Sequence, residues 1–151
     1  MKKTLKYIFA GIMALAAISC EKDGEILTVS NPEPATGLGA DPTERVLTAT
    51  EKDNLGMTFW WKNGGGASVS NPSAALPDGL VSSALQFSAT EGFESAYSQS
   101  LEAGASSVQF TVEALNNIVL RLGVTEETAT KVYVRVATTL GKTSVFSESL
   151  A

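Results

Sequence analysis

A chain of 151 residues with a hydrophobic fraction of 44% is long enough for one packed domain and too apolar for a disordered one. Its formal net charge is −5, it has no His, and it has one Cys, Cys20. Those counts exclude a Ser-His-Asp triad, a Cys-His dyad, His-ligated metal or haem, a Cys metal cluster and an internal disulfide; a binding or structural protein, not an enzyme, and no cofactor are expected.

The chain opens with Lys2, Lys3 and Lys6, followed by an uncharged run over 7–18, YIFAGIMALAAI. The run is too short to span a bilayer, which takes about 20 apolar residues, and fits a secretory apolar region of about 7–15. It closes on Ala17-Ile18-Ser19-Cys20, which resembles a bacterial lipobox, in which the Cys is acylated and becomes the N-terminus after cleavage. Residues 1–19 are therefore predicted to be a lipoprotein signal peptide, with Cys20 as the lipidation site. Each buried acyl CH₂ contributes about 0.8 kcal/mol, so a Cys carrying several chains holds a domain firmly on a membrane. Glu21, Asp23 and Glu25 follow directly and resemble the acidic export signal of Bacteroidetes surface lipoproteins. Without the three leading lysines, eight basic residues stand against sixteen acidic ones. Such a surface repels phosphate, so no nucleic-acid partner is expected.

Residues 20–44 hold three of the five prolines, Pro32, Pro34 and Pro42, together with Gly37 and Gly39. This composition predicts a lipidated N-terminus and an extended tether with at most one short edge strand, at 26–29. The domain itself is predicted over 45–151. A short edge strand is expected at 46–48. Residues 56–61 alternate, with Met57, Phe59 and Trp61 on one face and Thr58 and Trp60 on the other. Three glycines at 64–66 end that strand, and 64–79 reads as loop. A strand follows at 80–89, with Leu85 and Phe87 inward and Gln86 and Ser88 outward. A weaker edge strand is expected at 93–101. Val108, Phe110 and Val112 alternate again.

Leu115, Ile118, Val119 and Leu122 form one apolar stripe at helical spacing. Thr111 is the predicted N-cap, Glu113 suits the positive helix end, and Gly123 is placed to stop the helix. Residues 131–137 alternate again, with Val132, Val134 and Val136 inward and Lys131, Tyr133 and Arg135 outward. A tight turn at 140–142 leads to a last strand at 143–149. About seven short strands with turn signals predict an all-β fold, an antiparallel β-sandwich of immunoglobulin or fibronectin-III type. One short helix is inserted between the late strands and caps the core.

Trp60 and Trp61 face opposite sides of their strand, so Trp61 belongs to the core and Trp60 to the surface. Sugar C–H faces stack on aromatic rings, which makes Trp60, with the outward Tyr133, a candidate glycan contact; the competing role for Trp60 is a ring covered by a loop or the tether. Carboxylate pairs show no glycosidase pattern: Glu126 and Glu127 are neighbours in a polar turn, and Glu91 and Glu94 flank Gly92-Phe93. The glycines at 64–66 lack the strand and helix context of a phosphate loop, and 51–62 lacks the oxygen ligands of a calcium loop, with Leu55 and Lys62 in their places.

The stretch Gly56-Met-Thr-Phe-Trp-Trp61, Leu85-Gln-Phe-Ser88 before Gly92-Phe93, the helix Val112 to Gly123 and Val132-Tyr-Val-Arg-Val136 resemble, in order, the N-terminal domain of the SusE family. These are outer-membrane lipoproteins of starch-utilisation systems. The resemblance implies an immunoglobulin-like domain on a cell-surface protein anchored in the outer membrane. It also implies work beside a TonB-dependent transporter and a glycan-binding lipoprotein. Family members carry their sugar contacts in C-terminal carbohydrate-binding domains, so the 45–151 domain is expected to be a spacer or docking module, with oligosaccharide a weak ligand at most. The alternative is a structural or adhesive surface lipoprotein making protein contacts. A small His-free glycosidase or esterase is the least favoured reading.

Overall fold

A computed structural model describes residues 28–71, 73–74, 76–125 and 129–151. The signal peptide, Cys20, Glu21, Asp23, Glu25 and the Glu126-Glu127 pair lie outside the described residues. The described elements are β1 (Thr36–Asp41), a 3-10 turn (Ala49–Glu51), β2 (Leu55–Lys62), β3 (Val81–Ser88), β4 (Tyr97–Ser100), β5 (Ser107–Thr111), α1 (Val112–Arg121), β6 (Tyr133–Leu140) and β7 (Thr143–Phe146). Two antiparallel sheets result, one ordered β1-β2-β5 and the other β4-β3-β6-β7. The predicted sandwich with a helix between late strands is therefore present.

Alternation decides which side chains meet between the sheets. Phe59 of β2, Phe110 of β5 and Phe87 of β3 point inward and are buried. Their rings meet edge to face in all three pairs, with centroids 5.6–5.9 Å apart. That arrangement sets the positive edge of one ring against the negative face of the next. Trp61, Leu85, Val134 and Val136 complete the core around the triad. The Trp61 indole N–H donates to Asn63 Oδ1 at 2.9 Å, so a core ring keeps its one polar atom satisfied at the strand end.

The helix starts and stops where the sequence places it. The Thr111 hydroxyl accepts the Ala114 N–H at 3.2 Å. At the other end Val124 N–H reaches Val119 O and Gly123 N–H reaches Leu120 O, the paired bonds of a Schellman stop, with Gly123 at φ +78°. Leu115 and Ile118 are buried, whereas Val119 and Leu122 are only half-buried. Leu115 reaches Gly56 of β2, where a Cβ would stand 2.7 Å from its Cδ1. The β2–β5 register slips between Leu55 and Met57, and this bulge lets the start of α1 settle on the strand.

The strand expected at 131–137 lies later, at Tyr133–Leu140, and four further elements differ from expectation. The tether over 20–44 is not free throughout: Thr36–Asp41 is β1, paired with β2, and Ala35 is buried in the core. The strand expected at 46–48 is absent, because β1 already fills the edge beside β2, and Val46 stays 77% exposed. The strand expected at 93–101 shrinks to Tyr97–Ser100, because Phe93 takes φ +55° in a turn. The last strand ends at Phe146: Ser147 N–H still donates to Val136 O, but the Ser147 hydroxyl accepts the Val136 N–H at 2.9 Å in place of its carbonyl, and the next bridge is Val134 to Leu150. Of the edge strand at 26–29, the described part is a single bridge, Val29 to Val69.

Candidate functional site

The outer face of the three-stranded sheet carries Trp60. Its backbone partners are Gly39 on β1 and Ser107 on β5, and the next outward row is Asp41, Thr58 and Gln109. The indole lies over Gly39: a Cβ there would stand 2.6–2.9 Å from Cζ2, Cε2 and Nε1 of the ring. A side chain at position 39 would push the ring off the sheet, so Gly39 is what lets Trp60 lie against the strand. The ring remains 44% exposed, bordered by hydroxyl, amide and carboxylate side chains. One aromatic surface with hydrogen-bonding neighbours is the chemistry a saccharide ring engages.

Tyr133 is on the other sheet. It begins β6 opposite Ser88, is half-buried, and has the Lys131 ammonium 5.3 Å from its ring centroid. The two candidate glycan contacts thus occupy the outer faces of opposite sheets and do not meet across one surface. Ser88 also differs from expectation. It points away from the core yet is buried, because its hydroxyl accepts the Thr90 N–H at 3.1 Å as the following turn folds over it.

That turn builds a cluster the sequence did not reveal. Phe93 N–H donates to Thr90 O, and the Thr90 hydroxyl donates to the Glu94 carboxylate, which holds that carboxyl below its usual range. Held in this left-handed conformation, Phe93 lays its ring 4.0 Å from the Arg135 guanidinium. Phe146 of β7 stands 3.8 Å away from the same group. Arg135 Nε donates to Gln86 Oε1 at 2.8 Å, and Gln86 Nε2 donates to Ser98 Oγ at 3.1 Å. Burial lowers the Arg135 pKa, but a guanidinium stays charged in proteins. Two rings around one cation, with its Nε hydrogen-bonded, make a closed structural clasp across β3, β4, β6 and β7. Alternation places Arg135 outward, but only the turn geometry brings Phe93 to it.

Clefts open among the described residues on both flanks of the tether segment. One, of about 210 Å³, lies between the sheets where β2 ends, beneath Pro32, Glu33 and the glycines at 64–66. The other, of about 410 Å³, runs between the β1 and β7 edges, from Pro34–Leu38 to Phe146–Ser149. Neither is lined by Trp60 or Tyr133. Glu91 and Glu94 are both exposed.

A model of the SusE outer membrane protein family matches residues 22–137. No curated protein and no solved structure matches the chain.

Proposed function

Because the chain belongs to the SusE outer membrane protein family, with the outer membrane as its location, we propose that it is a lipid-anchored accessory subunit of a starch-like glycan binding and uptake complex at the cell surface. In this reading residues 1–19 are the signal peptide, Cys20 carries the lipid, and Glu21, Asp23 and Glu25 direct export to the outer face. The sandwich is a spacer or docking module beside a TonB-dependent transporter and a glycan-binding lipoprotein, and it performs no catalysis.

The observation that carries the spacer reading is the separation of the aromatic candidates. Trp60 and Tyr133 lie on opposite sheets, so a sugar on one cannot reach the other. Aromatic stacking contributes about 0.5–1.5 kcal/mol per ring pair, whereas a millimolar dissociation constant already requires about 4 kcal/mol. Titration calorimetry of residues 21–151 against a panel of starch-like oligosaccharides is expected to show binding no tighter than about millimolar. A micromolar ligand lost in Trp60→Ala would instead make the Trp60 face a glycan site.

The anchor is tested separately. Cys20→Ala is expected to abolish incorporation of a fatty-acid analogue and to release the protein from the membrane fraction. Equal label in variant and wild type would remove the lipoprotein reading.

A further inference from the structure

The pairing of β1 with β2 does not stop where the sandwich stops. Thr36 stands opposite Lys62. Continuing outward in that same register, Glu33 N–H donates to Gly65 O at 2.8 Å and Ser30 N–H to Ser68 O at 2.8 Å. Val29 bridges Val69, and Ser70 N–H donates to Thr28 O at 2.9 Å. Side chains reinforce the ladder: Gly65 N–H donates to the Glu33 carboxylate at 3.1 Å, and Ser68 N–H donates to the Ser30 hydroxyl at 2.9 Å. Pro32 is buried beneath this ribbon, over the cleft between the sheets. The chain N-terminal to the sandwich is therefore zipped to the β2–β3 loop and leaves the domain at one end. That end also carries the β6–β7 turn at 141–142, while α1 and the 3-10 turn sit at the opposite end.

We propose that this ribbon orients the domain on the membrane: the end bearing the β2–β3 loop and the β6–β7 turn faces the lipid headgroups, and the α1 end faces away. The inference rests on the Cys20 anchor of the proposed function. From Cys20 to Thr28 the chain has eight residues, which span at most about 29 Å when fully extended. An eight-residue strand such as β2 is itself about 26 Å long. For the α1 end to touch the headgroups, the chain from Cys20 would have to run straight back along the whole domain. The zipped arm spends none of its length on such a reversal. Release of the ladder would add residues 28–33 to the tether and remove the bias.

The test uses acylated full-length protein in phosphatidylethanolamine–phosphatidylglycerol vesicles containing lipids with a headgroup quencher. With Cys20 blocked by acylation, Lys142→Cys places a single fluorophore at the β6–β7 turn and Lys52→Cys places one beside α1. The label at position 142 is expected to be quenched several-fold more than that at 52. Two further variants add Gly64→Ala to each. An added Cβ there runs into the Glu33 and Pro34 carbonyl oxygens, so the arm must leave the loop, and the difference between labels is expected to collapse. Protein that is not acylated and does not partition to the vesicles overturns the anchor reading and the orientation together. Protein that is acylated and partitions, with equal or reversed quenching, overturns the orientation alone. A difference that survives Gly64→Ala shows that the ribbon is not the orienting element.

Discussion

Phe87→Ala is expected to lower the stability of the domain by about 3–5 kcal/mol. Phe87 is 2% exposed and lies on β3, in the four-stranded sheet, whereas Phe59 and Phe110 lie on the three-stranded sheet. Its ring is the member of the triad whose two ring contacts both cross the gap between sheets, edge to face at 5.7 and 5.6 Å. Truncation removes both ring contacts and leaves a cavity between two sheets that cannot collapse without losing their register. Chemical denaturation should show the midpoint falling sharply with an unchanged slope, and a melting temperature lower by roughly 10 °C or more. Val46→Ala, at a 77% exposed position, is the comparison and should stay within about 0.5 kcal/mol of wild type. A loss at Phe87 no larger than at Val46 would mean that the triad does not hold the sheets together.

Leu115→Ala is expected to cost about 2–5 kcal/mol. The side chain is 6% exposed and fills the space over Gly56, so its loss leaves a hole between α1 and β2. Leu122 is half-buried and should cost less. Arg121→Ala should cost no more than about 1 kcal/mol, because an exposed cation–π contact, here 5.3 Å from Tyr97, is worth about that much. Thermal melts of the three variants check the order. Gly56→Ala supplies a further reading of the same contact. Its new Cβ meets Leu115 first and the backbone of Thr111 and Val112 next, so its penalty should shrink in the Leu115→Ala background. Equal losses at Leu115, Leu122 and Arg121 would mean that the helix buries a different face.

Family membership and geometry divide the functional question between them. The family match places the protein at the outer membrane. The proposed spacer or docking role is finer than that placement and rests on the positions of Trp60 and Tyr133 on opposite sheets. The Arg135 clasp fits that role. The buried Phe93 ring, the exposed Phe146 ring and the Gln86 amide are all spent on holding Arg135 against the four-stranded sheet.

What the sequence determined by itself is whatever depends on periodicity and local chemistry. Alternation in 56–61 puts Trp61 in the core and Trp60 outside, because successive strand residues point to opposite faces. The stripe at Leu115 and Ile118, the Thr111 cap and the Gly123 stop fix α1 within a few residues, because each is a contact between near neighbours in the chain. Tertiary structure decided what rests on distant partners. Thr36–Asp41 has the composition of a linker and becomes a strand because β2 offers its edge and Gly39 makes room for the Trp60 indole. Val46 and Leu47 look more like a strand and are none, because that edge is taken. Phe93 reads as a strand residue by its side chain, and is held in a turn by Thr90 so that its ring can meet Arg135, 42 residues away. A backbone hydrogen bond or a ring contact across the sandwich depends on which segment arrives beside it, and no local pattern in either segment encodes that meeting.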